Sequence, residues 1–177
     1  MDYLHQTILQ VWREDIRKDY EQKYLLKEDT LKNAFYFHLR RHLGEEYLHQ
    51  NNLRIYTEYY IKPDLLVVQI DPEKADYSYL GDSVIKVLAS IEMKYKSAYA
   101  NDKVFTDDVL KVIRYINDWG QETKHYLAVV QEKYYESHKV KNWITDIQAG
   151  KLKNQVTELL AYWDYDTDET VWRTVEH

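Results

Sequence analysis

The amino-acid sequence predicts a single α/β domain, spanning residues 1–177, with a mixed β-sheet flanked by helices. Segments with an apolar residue at every third or fourth position alternate with segments in which every second residue is apolar. These are the periods of helices and strands. Hydrophobic residues make up 45% of the 177 residues, enough for one domain with its own core. The predicted order of elements is α-α-β-β-β-α-β-α-β-β, which is typical of a mixed sheet.

The first half of the chain is predicted to form two helices and three strands. Residues 3–20 form the first helix, with an apolar stripe along one side. The second helix covers residues 28–50, with Asp29 or Thr30 as its cap and an interruption at Gly44. Alternating apolar residues then predict three strands, at 53–61, 64–70 and 84–95. Turn-forming residues predict a loop at 71–83, between the second and the third of these strands.

The second half is predicted to hold a long helix, a buried strand, another helix and a hairpin. Thr106 can cap the long helix, which places Asp107 and Asp108 in the first turn, where they would complement the helix dipole. Gly120 ends this helix. The remaining predicted elements are a strand at 125–132, a helix at 138–149, and hairpin strands at 154–163 and 170–175.

The composition excludes several classes of function. The chain has no cysteine, so disulfides, thiolate zinc sites and a cysteine nucleophile are absent. Its four glycines form no phosphate-binding loop. Without a long apolar run or a signal peptide, we expect a cytoplasmic protein with no membrane association. The net charge of −6 argues against autonomous tight binding of duplex DNA, but it leaves a nuclease open because a bound metal would neutralise part of the local acidity.

The most informative motif joins Asp64 to Glu92 and Lys94. Residues 84–95 alternate apolar and polar, so Glu92 and Lys94 project from one face of a strand. Asp64 follows Pro63 at the start of the preceding strand. Two carboxylates suit Mg²⁺ or Mn²⁺, and an ammonium can hold a phosphate oxygen or a water, as metal-assisted phosphodiester hydrolysis requires. The alternative is a strand-edge ion pair without a metal.

Pro63-Asp64 and Glu92-Met93-Lys94 together resemble the motif of the PD-(D/E)XK nuclease superfamily. The order helix, three strands, helix, strand over residues 28–132 is similar to the restriction-endonuclease-like core of that family. The resemblance implies a Mg²⁺- or Mn²⁺-dependent nuclease whose partner is nucleic acid, DNA in the first place. It would act as an endonuclease or be directed by DNA ends or structure. A homodimer or a partner protein would be compatible with the small size of the chain.

The resemblance also implies a role for each motif residue. Asp64 would bridge the divalent cation, and Glu92 would bind the same ion. The carbonyl oxygen of Met93 would be a further ligand. Lys94 would orient the attacking water, or help to deprotonate it, and would steady the charge that develops on phosphorus.

Two acids compete for one more metal-ligand position. Many members of the family carry an acidic residue on the helix before the first strand, and Glu28 is the best match to it. Glu58, on the polar face of the first predicted strand, is the rival ligand. For Glu28 the alternative is a helix-start acid that is stabilised by the helix dipole.

Three residues are candidates for contact with the substrate. Lys96 follows Lys94 on the same strand face, and Lys111 and Tyr115 share one face of the following helix. For Lys111 and Tyr115 a purely structural role is the alternative.

A second function of a different class stays open from the sequence. The chain could be a relative of these nucleases that has lost catalysis and serves as a binding subunit of a larger nucleic-acid-processing or defence complex. The complete acid, acid and lysine set favours the enzyme. The acidic net charge and the lack of an obvious DNA-recognition module favour the binding subunit. His38 and His42 have the spacing of a metal pair but lack a glutamate in the required position, and we expect them on a helix surface.

Overall fold

The structure is a computed structural model that describes residues 2–59, 63–77, 79–97, 103–120, 122–136, 142–145, 148 and 155–177. Within these residues, a mixed β-sheet of six strands is flanked by helices. The predicted α/β class with a mixed sheet is therefore confirmed.

The described helices precede the sheet, connect its strands and cover its faces. They are α1 (Asp2–Gln10), α2 (Arg17–Glu21), α3 (Glu28–Leu43), α4 (Glu45–Gln50), α5 (Pro72–Tyr77) and α6 (Lys103–Trp119), with a 3₁₀ turn at Leu80–Ser83. A π-helical segment, Val11–Ile16, joins α1 to α2, so the predicted first helix is confirmed as one continuous helical stretch. Helices α3 and α4 meet at Gly44, which has a φ of 75° that glycine adopts without strain.

The strands lie in the sheet in the same order as in the chain. They are β1 (Leu53–Thr57), β2 (Leu65–Ile70), β3 (Val84–Ser97), β4 (Lys124–Tyr135), β5 (Val156–Asp164) and β6 (Thr170–Glu176). Strands β3, β4 and β5 run parallel to one another, and all other neighbours are antiparallel. The C-terminal hairpin of β5 and β6 is as predicted.

Different helices cover the two faces of the sheet. On one face, Ile91 and Met93 of β3 belong to the core cluster that includes α1, α2 and α3. On the other face, Leu127 and Val129 of β4 pack against α6. Because side chains alternate along a strand, Glu92 and Lys94, on either side of Met93, face α6. This alternation directs the polar motif residues of β3 towards α6.

The prediction is wrong for one loop and for the start of one helix. The segment predicted as a loop, 71–83, contains α5 and a 3₁₀ turn. Helix α6 begins at Lys103 and not at Thr106, so Asp108 lies in the second turn. Phe105 is fully buried in the core under α6, and its packing extends the helix past the capping signal.

Other predicted elements lie partly or wholly outside the described residues. The first predicted strand, 53–61, ends as a strand at Thr57, because Glu58 has a positive φ of 55° that leaves the extended conformation. Its last two positions lie outside the described residues. The predicted helix at 138–149 also falls mostly outside them. None of the described helices is long and apolar enough to cross a lipid bilayer.

Candidate active site

Asp64 lies immediately before the first residue of β2. At this end of the sheet, β3 extends beyond β2. Leu65, the first residue of β2, pairs with Ile91 of β3. Beyond this pair, the next backbone N–H of β3 that points towards β2 has no partner on that strand. The Asp64 carboxylate fills this position. Its Oδ2 accepts a hydrogen bond of 2.6 Å from the backbone N–H of Met93. Its Oδ1 lies 2.9 Å from Nζ of Lys32 on α3.

Glu92 projects from β3 towards α6 and is almost completely buried, with 2% of its surface exposed. Its Oε1 lies 2.8 Å from Nζ of Lys111, and Tyr115 donates a longer hydrogen bond of 3.4 Å to Oε2. Burial raises the pKa of Glu92 to about 7, and the nearby charge of Asp64 adds to this effect. Lys111 opposes the rise only in part, because it remains partly in solvent while Glu92 has lost its hydration.

Lys94 extends from β3 between two acidic side chains from different helices. Its Nζ lies 3.1 Å from Oε2 of Glu28 at the start of α3 and 3.2 Å from Oδ2 of Asp108 on α6. Burial acts to lower the pKa of Lys94, but the charges of Asp108 and Glu28 outweigh it and raise that pKa. Lys94 is therefore an ammonium at neutral pH.

Asp108 joins the two lysines of the cluster. Its other oxygen, Oδ1, lies 2.7 Å from Nζ of Lys111, and only 2% of Asp108 is exposed. From the sequence, Asp108 was expected only to complement the helix dipole, and this contact was not predicted. The spacing of Asp108, Lys111 and Tyr115 at i, i+3 and i+7 could have indicated one polar face beside the apolar stripe of α6.

Lys32 is a second member of the site that was not predicted from the sequence. It contacts Asp64, as described above, and its Nζ also lies 3.0 Å from Oε1 of Glu58. Burial acts to lower the pKa of Lys32, but hydrogen bonds to Asp64 and Glu58 outweigh it and raise that pKa. Lys32 follows Glu28 by four residues on α3, which is the spacing of one helix face.

The structure therefore brings most of the predicted site residues into one group, which we name the charged cluster. Its members are Glu28, Lys32, Asp64, Glu92, Lys94, Asp108, Lys111 and Tyr115. Glu58 touches the cluster through Lys32 but is largely exposed. Lys96 lies two residues beyond Lys94, in register with Gln131 of β4, and the described residues show no hydrogen bond or ion pair between its side chain and the cluster.

The donor chemistry of the cluster fits a hard divalent cation with few protein ligands. No group of three histidine, cysteine or acidic side chains among the described residues is arranged to hold a metal. Neither Glu28 nor Glu58 therefore adds a third carboxylate to Asp64 and Glu92 in this arrangement. Mg²⁺ often uses only one or two carboxylates and completes its shell with water and substrate phosphate. Asp64, Glu92 and the Met93 carbonyl are compatible with that pattern.

His38 and His42 do not lie on a free helix surface as expected. Nε2 of His38 lies 2.8 Å from Asp19, and Nε2 of His42 lies 2.7 Å from Asp15. His38 is buried, because the π-helical segment packs against this side of α3 and Asp19 of α2 contacts the imidazole. The pair thus joins the first two helical stretches.

No family model, curated protein or solved structure matches this chain. The likeness to the PD-(D/E)XK nucleases accordingly depends on the motif residues and on the order of the elements that carry them.

Proposed function

We propose that this protein hydrolyses phosphodiester bonds in nucleic acid, DNA in the first place, with Mg²⁺ or Mn²⁺ as its cofactor. One observation carries the proposal. Asp64, immediately before β2, and Glu92 of β3 lie in one mostly buried cluster with the ammonium of Lys94. This combination of acidic oxygens and a fixed cation suits metal-assisted hydrolysis of a phosphate ester.

Asp64 and Glu92 would hold the ion, with the carbonyl of Met93 as a third oxygen. A divalent cation bound there would supply Lewis-acid polarisation of the phosphate and a water of lowered pKa. The raised pKa of Glu92 supports this assignment, because burial of the carboxylate causes most of it and the charge of Asp64 adds to it, and a bound cation would offset both effects.

Lys94 would act as a fixed cation in the reaction. Its pKa is raised in the metal-free protein, so its ammonium can donate hydrogen bonds to the attacking water and to a phosphate oxygen. The resemblance implies either this orienting role or a part in deprotonating the water. Glu28 and Asp108 hold the ammonium in place from two sides.

Lys111 and Lys32 would help to receive the substrate. Each now contacts a carboxylate that would bind the cation, Glu92 and Asp64 respectively. An ammonium on a flexible stem can turn from a carboxylate to a phosphate oxygen when the cation takes its place. In the hydrolysis itself, the attacking water gives up a proton to solvent water as its oxygen bonds to phosphorus, one P–O ester bond breaks, and the departing oxygen takes up a proton from solvent, so that one water molecule is added in total.

A cleavage assay tests the proposal directly. Labelled single-stranded, duplex and branched DNA, and RNA, are incubated with the protein in Mg²⁺, Mn²⁺ or EDTA. We expect cleavage of DNA that requires the divalent ion and disappears in Asp64→Asn and Glu92→Gln variants. Glu21→Gln, which removes a carboxylate from an exposed pair on α2, is the matched control and should cut normally. Metal-independent cleavage, or none by the wild type, would reject the proposal.

The binding-subunit alternative is favoured by a different observation. Protein donors already contact both oxygens of Asp64 and both oxygens of Glu92. A network of this kind can be a self-sufficient structural element. In that case, the Asn and Gln variants would lower thermal stability without changing Mn²⁺ binding, and a restriction-endonuclease-like fold would serve only to bind a partner.

A further inference from the structure

The two edges of the sheet differ in how they are protected. Strand β1 forms one edge and β6 forms the other. At β1, helix α4 contacts the strand, and Arg54 donates a hydrogen bond of 2.8 Å from Nη1 to the backbone carbonyl of Leu53. Directly after Thr57, the positive φ of Glu58 ends the extended conformation. An edge that is short, covered and bent in this way is a poor template for a further strand.

Strand β6 has none of these protections. It is a regular strand of 7 residues, Thr170–Glu176, and it pairs with β5 without a register shift. Its sequence contains neither proline nor glycine and consists mostly of threonine, valine and tryptophan, which favour strands. Each of its residues is at least partly exposed to solvent. A regular edge strand of this composition is a template for pairing with another strand.

The hydrogen bonds to β5 show which backbone groups of β6 point outwards. His177, directly after β6, donates its backbone N–H to the carbonyl of Val156 at 3.0 Å. In an antiparallel ladder, successive residues direct their N–H and C=O groups to opposite sides. The residues of β6 that direct these groups away from β5 are therefore Thr170, Trp172, Thr174 and Glu176. Among the described residues, no partner for these outward groups is found.

The first helical stretch contacts β6 from above and not along its edge. The ring centroids of Trp12 and Trp172 are 4.8 Å apart, and Nη2 of Arg13 donates to the hydroxyl of Thr174. Side chains stand roughly perpendicular to a sheet. These contacts therefore lie over one face of β6, and the plane in which a further strand would pair stays open.

The sequence of β6 allows it to pair with its own copy. In antiparallel pairing about a two-fold axis at Trp172, Thr170 lies opposite Thr174 of the second copy. With the axis at Thr174, that residue lies opposite its own copy. Both registers pair threonine with threonine, which is favourable, and both place a valine opposite Arg173. An axis at Arg173 would oppose two arginines and is therefore unfavourable.

We propose that β6 is a dimer interface, at which it pairs antiparallel with β6 of a second copy of this chain. The same strand serves both copies, as a two-fold interface requires. One sheet then continues through the dimer, and the outward N–H and C=O groups of β6 obtain partners. Because the axis is perpendicular to the sheet, the charged clusters of the two copies lie on the same face of the joined sheet. No member of the charged cluster lies on β6, so the interface is independent of the proposed hydrolysis.

The oligomeric state in solution tests the interface. Sedimentation velocity of the full chain is measured from about 1 μM to about 1 mM, a range that covers tight and weak dimers. Two variants alter the edge. Val171→Lys/Val175→Lys places a lysine opposite Arg173 in either register. Thr174→Pro removes an outward N–H and no hydrogen bond to β5.

A matched control separates the edge from a general effect of charge. Leu26→Lys/Leu110→Lys adds the same charge at two exposed positions away from β6. Thermal melts verify that every variant folds. We expect a monomer–dimer equilibrium for the wild type and the control, and a dissociation constant that is roughly tenfold larger or more in both edge variants.

Disulfide cross-linking tests the pairing itself, because the chain has no cysteine of its own. Residues of a hydrogen-bonded antiparallel pair have Cα atoms about 5.5 Å apart, which suits a disulfide. Under oxidation, Thr174→Cys should give a covalent dimer if the axis is at Thr174. If the axis is at Trp172, only Thr170→Cys/Thr174→Cys should do so. Leu26→Cys, at an exposed position, is the control and should stay monomeric.

Four results would overturn the inference. The first is a wild type that is monomeric at every concentration, which would leave the edge for a different partner. The second is association that is equally strong in the edge variants and the control, which would place the interface elsewhere. The third is open-ended aggregation in place of a dimer. The fourth is the absence of a covalent dimer in both cysteine variants of β6.

Discussion

The Asp64 carboxylate accepts a hydrogen bond of 2.6 Å from the backbone N–H of Met93, the residue between Glu92 and Lys94. The side chain of Asp64 thus takes the place of a backbone acceptor in the hydrogen-bond ladder between β2 and β3. This bond fixes Asp64 relative to both β3 residues without using the side chain of either. The relative placement of the two motif halves is therefore set by the backbone, and the ion pairs around them can rearrange without separating them.

Metal binding should depend on the two motif carboxylates together. We expect calorimetry to detect weak binding of Mn²⁺ to the wild type and its loss in Asp64→Asn/Glu92→Gln, because few protein ligands remain. Ca²⁺ should bind without supporting cleavage. Identical Mn²⁺ heats for the wild type and the double variant would show that the ion, if any, binds elsewhere.

Lys94 should matter for cleavage and not for metal binding. Lys94→Ala should reduce the cleavage rate by about 10²- to 10⁴-fold, the usual effect of losing one positioned acid–base or electrostatic group. Metal affinity should stay equal or rise, since a positive neighbour has gone. Lys94→Arg should not restore the rate, because the guanidinium has a different shape. Full activity in Lys94→Ala with only a lower melting temperature would support the binding-subunit alternative.

Asp108 should stabilise the cluster by holding its two lysines. Asp108→Asn leaves Lys94 and Lys111 with one charged partner fewer in a mostly buried region, and we expect a loss of about 1–3 kcal/mol in the free energy of unfolding. Asp107→Asn makes the same change at the exposed neighbouring position and should stay within about 0.5 kcal/mol of the wild type. Urea denaturation of both variants provides the comparison, and equal effects would contradict the bridging role.

Glu92 should make stability depend on pH in the metal-free protein. Its pKa is raised to about 7 in the folded state, so between the unfolded value of about 4.3 and pH 7 the folded state binds the extra proton. The stability that this proton contributes is fully present below the unfolded value and is lost as pH rises through about 7. Denaturation at several pH values should show that the free energy of unfolding of Glu92→Gln rises relative to that of the wild type from pH 5 to pH 8. If the difference in unfolding free energy between the two proteins does not change with pH, the group that titrates is not Glu92.

Periodicity was sufficient to predict most of the fold. The helix predicted over residues 28–50 buries Leu31, Phe35 and Leu39 at helical spacing on α3, and the alternation of β3 correctly placed Glu92 and Lys94 on one face. The predicted start of α6 was wrong, because the packing of Phe105 outweighs the local capping signal at Thr106. The sequence does not reveal this packing.

The partners of the motif residues could not be predicted in the same way. Lys32 and Asp108 lie on helices far from the motif in the chain, and they reach it only because α3 and α6 approach the same end of β2 and β3. Helix periodicity indicates which side of a helix is polar, but not which strand that side will meet. The burial of His38 between helices was missed for the same reason.

The agreement between strand order and chain order has a consequence for synthesis of the protein. Each strand pairs with the one made just before it, so the sheet can grow strand by strand as the chain leaves the ribosome, without waiting for a distant segment. All members of the charged cluster lie between Glu28 and Tyr115. The groups proposed for catalysis can therefore assemble before the C-terminal hairpin has been translated.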